Sequence, residues 1–242
     1  MNDARPAFYA LAPGGWRDYV TLLHPPYTLW HLSYVVIGAA LAPEFNGRLL
    51  GWTLAAFFLA LGIGAHALDE LNGHPLRLQI APAVLVALAV TSIAAAAAIG
   101  VVIAVQRDLW LIAFVVAGTL LVVAYNLELF DGALHSDIWF AAGWGAFPVL
   151  AAYFASARTM RADALVAAAF ALLLSLAQRT LSTQVRTVRR RAAGVSGRID
   201  YSDGTATALD AETLTRVPET ALRMLCGAVI ALAVTLVLMR VT

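Results

Sequence analysis

In the stretch LGIGAHALDELNGHPLRLQI, residues 61–80, the ionisable side chains His66, Asp69, Glu70, His74 and Arg77 gather at the end of an apolar run. On a helix His66 lies three positions before Asp69 and four before Glu70, so an imidazole and a carboxylate can share a face. A second group follows in AYNLELFDGALHSDIWF, where Glu128 and Asp131 are three apart and Asp131 and His135 four apart, beside Tyr125, Asn126 and Asp137. Crowded carboxylates repel one another, and a divalent cation is the simplest relief. His66, Asp69, Glu70, Glu128, Asp131 and His135 are therefore the expected metal ligands. Oxygen-dominated ligation suits magnesium or manganese, whereas converging histidines suit zinc or iron. Taken singly, His66 or His135 reads as a structurally bonded or plainly exposed histidine at least as well as a ligand. Asp69, Glu70, Tyr125 and Glu128 are the candidate catalytic groups, and Asn126, Arg179 and Arg186 candidate substrate contacts.

These side chains depend on a scaffold that is plainly apolar. Of 242 residues 61% are hydrophobic and 13% charged, with a mean hydropathy of +0.79, which places the chain outside the soluble class. A net charge of +1 gives no pull toward nucleic acid. The single cysteine, Cys226, rules out a disulfide framework. Runs near 28–44, 48–67, 81–105, 108–126, 137–156, 162–178 and 220–240 are long enough for membrane helices. The expectation is an all-α, polytopic transmembrane bundle over residues 1–242, with seven helices and room for eight or nine.

The sixth run is short and reads as tilted. The third is alanine-rich and suits close helix packing. Nothing near the start resembles a cleavable leader, so the first run is expected to persist. Arginine placement favours a cytoplasmic N-terminus and puts the polar segments 66–80, 126–136 and 179–219 on that same side. The last of these reads as an arginine-rich cytoplasmic loop, beginning with a basic interfacial stretch, QRTLSTQVRTVRRRA. Arg179, Arg186 and Arg190 recur at spacings of seven and four, so they can share a helix face and meet an anion, or serve as ordinary positive-inside charge. Trp30, Trp52, Trp110, Trp139 and Trp144 read as interface anchors.

Over residues 20–155 the chain resembles the UbiA family of intramembrane aromatic prenyltransferases. HALDELNGHPL is similar to that family's acidic, asparagine-containing motif followed by Arg-Pro-Leu, with His66 at the asparagine and His74-Pro75-Leu76 at the end. LLHPPYTLWHLSYVVIGAALA resembles the family's first helix, and AYNLELFDGALHSDIWFAAGWGAFPVLAAY its mid-chain tyrosine loop. The resemblance implies a helical bundle in which acidic motifs hold magnesium against a prenyl diphosphate while a lipophilic acceptor attacks the allylic carbon. It implies Asp69 and Glu70 as first metal ligands, His66 as an auxiliary one, and His74 or Arg77 as a diphosphate contact. The chain departs from the family pattern at Glu128-Leu129, where a basic pair is expected, and at AQRTLSTQVRTVRRR, where the second acidic motif is expected. Two other readings stand beside it. One is a different metal-dependent lipid enzyme, a hydrolase or oxidoreductase, built on the same clusters. The other is a lipid-binding or structural membrane protein without catalysis.

Overall fold

The computed structural model describes residues 5–242. Its helices are α1 (Trp16–Leu22), α2 (Pro25–Leu41), α3 (Gly47–Leu71), α4 (Pro82–Arg107), α5 (Leu111–Asn126), α6 (Asp137–Ala157), α7 (Ala162–Arg191) and α8 (Ala211–Val241). Five of them, α3, α4, α6, α7 and α8, are long and apolar enough to cross a membrane, and the chain is a helical membrane protein. Because α2 to α8 are antiparallel neighbours in sequence, the start of α2, the end of α3, the end of α5, the start of α6 and the end of α7 meet at one end.

The sequence places the runs well and their ends less well. The polar segment 179–219 is not a loop throughout: α7 continues to Arg191, and α8 already begins at Ala211. Leu181, Val185 and Val188 carry the apolar stripe on at helical spacing, and Val185 is buried, so the helix outlasts the hydrophobic run. The arginines thereby become side chains of a helix face. Between the two helices lies an exposed antiparallel hairpin, β1 (Gly197–Asp200) and β2 (Ala206–Leu209), pairing Gly197 with Leu209 and Asp200 with Ala206. An all-α expectation had no place for it.

The centre of the bundle is α2. Trp30, Tyr34 and Ile37 pack with Val149 of α6, Ala168 and Ala171 of α7, and Val229 and Ala233 of α8. Two glycines set how closely the backbones approach. A Cβ on Gly38 would lie 2.2 Å from the Val149 carbonyl oxygen, and one on Gly145 would lie 2.6 Å from that of Ala171. At the end remote from the loops, Arg107 donates to the carbonyls of Ala155 and Ser156, and Arg240 to those of Ala40 and Ala42. These guanidinium groups satisfy helix-terminal carbonyls that have no intrahelical partner.

At the polar end, carboxylates organise the chain. The Glu70 side chain, 1% exposed, accepts from the backbone N–H of Leu76 (3.0 Å) and of Leu78 (2.8 Å). Asp18 accepts from the N–H of Gly14 and of Gln79, pinning α1 to the loop between α3 and α4. The Asn72 amide donates to the Asn126 carbonyl and ties the end of α3 to the end of α5. Three π-helical stretches interrupt the rods, at Phe58–Ala65, Ala141–Ala146 and Thr187–Arg191. The first two shift the phase of the helix that follows, the third ends α7, and all three adjoin the cavity described next.

Candidate functional site

A cavity of about 410 Å³ opens at the polar end. His24 at the head of α2, His31 one to two turns on, His66 and Asp69 of α3, Tyr125 of α5, His135, and Arg179, Arg186 and Arg190 of α7 all line it. Tyr9, from the segment before α1, closes one side.

The histidines are held in a common way. Nδ1 of His66 lies 3.1 Å from the Gly62 carbonyl oxygen, Nδ1 of His31 2.9 Å from that of Trp144, and Nδ1 of His135 2.9 Å from that of Tyr125. A carbonyl only accepts, so each neutral ring carries its hydrogen on Nδ1 and keeps Nε2 as an acceptor. For His66 the partner carbonyl belongs to the π-helical stretch immediately before it. The His66 ring stacks on His24, with centroids 4.0 Å apart, and His24 Nδ1 is 3.0 Å from the Tyr9 hydroxyl.

Burial first, then the nearby His66, Arg190 and Arg186, hold the His24 imidazole well below the ordinary histidine range. Burial also pushes the Tyr9 phenol up. The unfolded chain takes a proton on His24 below about pH 6.5 while the folded protein keeps the ring neutral. Stability from this group is therefore complete above that pH and declines as pH falls below it. Thermal unfolding in detergent at about pH 7.5 and about pH 5.5 should show the loss, and His24→Asn should reduce it. Asparagine suits the left-handed backbone at this position, where φ is 45°.

The cationic wall comes from α7. Arg186 donates to the Thr183 hydroxyl at 2.8 Å, and Arg190 to the Pro6 carbonyl at 3.2 Å. Arg179 donates to Asp137 at 2.7 Å and lies over the Phe140 ring. Arg189, on the other face, is held by both carboxylate oxygens of Glu219 and stays outside the cavity. Among the described residues two buried side-chain polar atoms lack a protein partner, the Tyr125 hydroxyl and Gln178 Oε1, and both residues line this cavity. A buried polar atom left unpaired costs about 1–3 kcal/mol, so a ligand that pairs them gains by doing so.

Aromatic rings continue the wall inward. Tyr125 stacks on His135 with centroids 4.5 Å apart and lies 4.6 Å from Trp144, which stacks on Phe140 at 5.6 Å. Trp144 also lines a second, apolar cleft between α3, α4, α5 and α6, formed by Phe57, Leu61, Ile93, Val115, Leu121 and Phe147 among others. The polar cavity and the apolar cleft thus share one indole wall.

Of the residues singled out in the sequence, His66, Asp69, Tyr125, Asn126, His135, Arg179 and Arg186 come together at this cavity. Glu70 is turned to the backbone of the following loop instead. Glu128 and Asp131 are exposed on a tight turn with left-handed backbone at φ 51° and 55°, and neither lines the cavity. His74 and Arg77 are exposed on the loop after α3. Asn126 spends its amide on the Val122 carbonyl of its own helix. Among the described residues no three His, Cys, Asp or Glu side chains converge as a metal-binding group. Sequence reasoning gave no site role to Tyr9 or Gln178. Gln178, a polar residue closing an apolar run, was a legible signal, whereas nothing local marks Tyr9, which arrives only because the N-terminal segment folds across the bundle. No protein-family model matches the chain, and neither the curated proteins nor the solved structures yield a match.

Proposed function

We propose that the protein is a membrane enzyme that transfers a prenyl group from an allylic prenyl diphosphate to a lipophilic acceptor carrying an O–H or N–H. The observation that supports this reading is an arginine-lined cavity and an apolar cleft that share Trp144 as a wall, which suits an amphiphile with an anionic head and a hydrocarbon tail. Arg179, Arg186 and Arg190 present fixed positive charge where charge builds on the departing diphosphate oxygen. The cleft takes the isoprenoid chain. Tyr125, Phe140 and Trp144 line the polar cavity, and their ring faces favour the cationic character that develops on the allylic carbon.

In the transfer step the acceptor's electron pair forms a bond to the allylic carbon, and the carbon–oxygen bond to diphosphate breaks with its electrons leaving on the diphosphate. The acceptor's proton goes to Nε2 of His66, since Nδ1 is engaged with Gly62. The magnesium pair that the resemblance implies needs two acidic sets. Among the described residues Asp69 is the one Asp or Glu that lines this cavity, so these side chains do not fit that arrangement.

The test is release of diphosphate from farnesyl diphosphate by the purified protein in the presence of a lipid extract, with mass spectrometry of the lipids. Diphosphate release matched by a prenylated lipid is the expected result. Absence of both, across acceptors bearing hydroxyl and amine groups, would remove the reading.

A further inference from the structure

We infer that the arginines of α7 hold the diphosphate directly, so that the anion binds without a divalent metal. The inference rests on reading this cavity as the diphosphate site, and the cavity's charge inventory carries it. Arg179, Arg186, Arg190 and Arg191 line the space, Arg179 in its pair with Asp137, and among the described residues Asp69 is the one carboxylate in the lining. The first three arginines sit at spacings of seven and four along α7, whose last stretch is π-helical, and all three line the same cavity. Guanidinium matches phosphate oxygens in a planar, bidentate fashion and stays charged throughout the accessible pH range.

The neighbouring acids are committed elsewhere. Both Glu70 oxygens accept backbone N–H groups, Asp137 is paired with Arg179, and Glu219 with Arg189. Glu128 and Asp131 lie in the exposed turn. A magnesium ion bridging diphosphate to protein ordinarily draws on one or two carboxylates. Here the anion meets a surplus of cations, which neutralise it without an intermediary. The unpartnered Tyr125 hydroxyl, on a residue 4% exposed, supplies a further donor to the same space.

The experiment is calorimetric titration of inorganic diphosphate into the full chain in detergent, once with excess EDTA and once with magnesium. The expected result is binding in EDTA with an affinity within about threefold of that in magnesium. Arg186→Gln with Arg190→Gln should weaken it by about a hundredfold, as loss of two charge-assisted contacts requires. Binding seen only with magnesium would overturn the inference, and that comparison needs no variant. Inorganic phosphate binding as tightly as diphosphate would also overturn it, since the spread of arginines along α7 requires the longer anion. Metal-free diphosphate binding without prenyl transfer would leave this inference standing and remove the proposed function. Transfer that occurs only with magnesium-dependent diphosphate binding would do the reverse.

Discussion

Arg186→Gln combined with Arg190→Gln should lower diphosphate release from farnesyl diphosphate by about a thousandfold, because each removes a preorganised donor from the departing group. Both side chains line the cavity, and neither is paired with a carboxylate among the described residues. Their loss therefore removes little from the fold and a great deal from the site. Arg189→Gln provides the contrast within the same turn of helix. Its guanidinium is held by Glu219, whose side chain is 9% exposed, and it lies off the cavity. That substitution should cost about 2 kcal/mol of stability by stranding a buried carboxylate, with the solvent access of the arginine keeping the figure modest. Turnover measured at a temperature where each variant is folded, beside thermal unfolding in the same detergent, separates the two effects. Equal losses of turnover in both variants would sink the assignment of the cationic wall.

Gly38→Val should abolish recovery of folded protein. A Cβ at this position would meet the Val149 carbonyl oxygen at 2.2 Å and its carbonyl carbon at 2.9 Å. Backbone atoms of a packed helix cannot turn aside as a side chain can, so α2 and α6 would have to separate. The separation would open the cluster of Trp30, Tyr34, Val149 and Val229 around which α7 and α8 also pack. Overpacking costs about 1–3 kcal/mol where neighbours can yield, and a clash with backbone belongs at or above the upper end. Gly51→Ala tests the specificity of that claim. Nothing lies within 4 Å of a Cβ there, and replacing glycine inside a helix by alanine gains roughly 0.5–1 kcal/mol. Monodispersity and thermal unfolding in detergent should place the two variants on opposite sides of the parent protein. A folded Gly38→Val protein with unchanged stability would contradict the close approach of α2 and α6.

Some of this molecule follows from local chemistry alone. Apolar runs of membrane length are visible in any window of about 20 residues, so the rods from α2 to α8 emerge from the sequence with their order intact. Their alternation puts 66–80, 126–136 and the arginines of 179–191 at a common end, and His66, Asp69, Tyr125, His135, Arg179 and Arg186 do line one cavity there. Helix ends were harder, because hydropathy falls at Gln178 while the apolar stripe of Leu181, Val185 and Val188 keeps the helix going.

What composition and spacing could not decide was where each polar side chain points. Glu70 is one residue from Asp69, yet it faces the loop backbone while Asp69 faces the cavity. A step of one residue turns a helix by about 100°, and the π-helical stretch before His66 resets the phase from which that turn is counted. Glu128 and Asp131 have suitable spacing for a helix face, but they fall in a left-handed turn that carries them into solvent. Tyr9 enters from a segment whose path depends on Asp18 gripping the backbone of Gln79, a contact across 61 positions. The sequence by itself determined a membrane bundle with a polar, basic end, since hydropathy and helical period are properties of short windows. Only the tertiary structure decided which of those polar groups share one cavity, because convergence depends on helix phase and on backbone partners that lie far away along the chain.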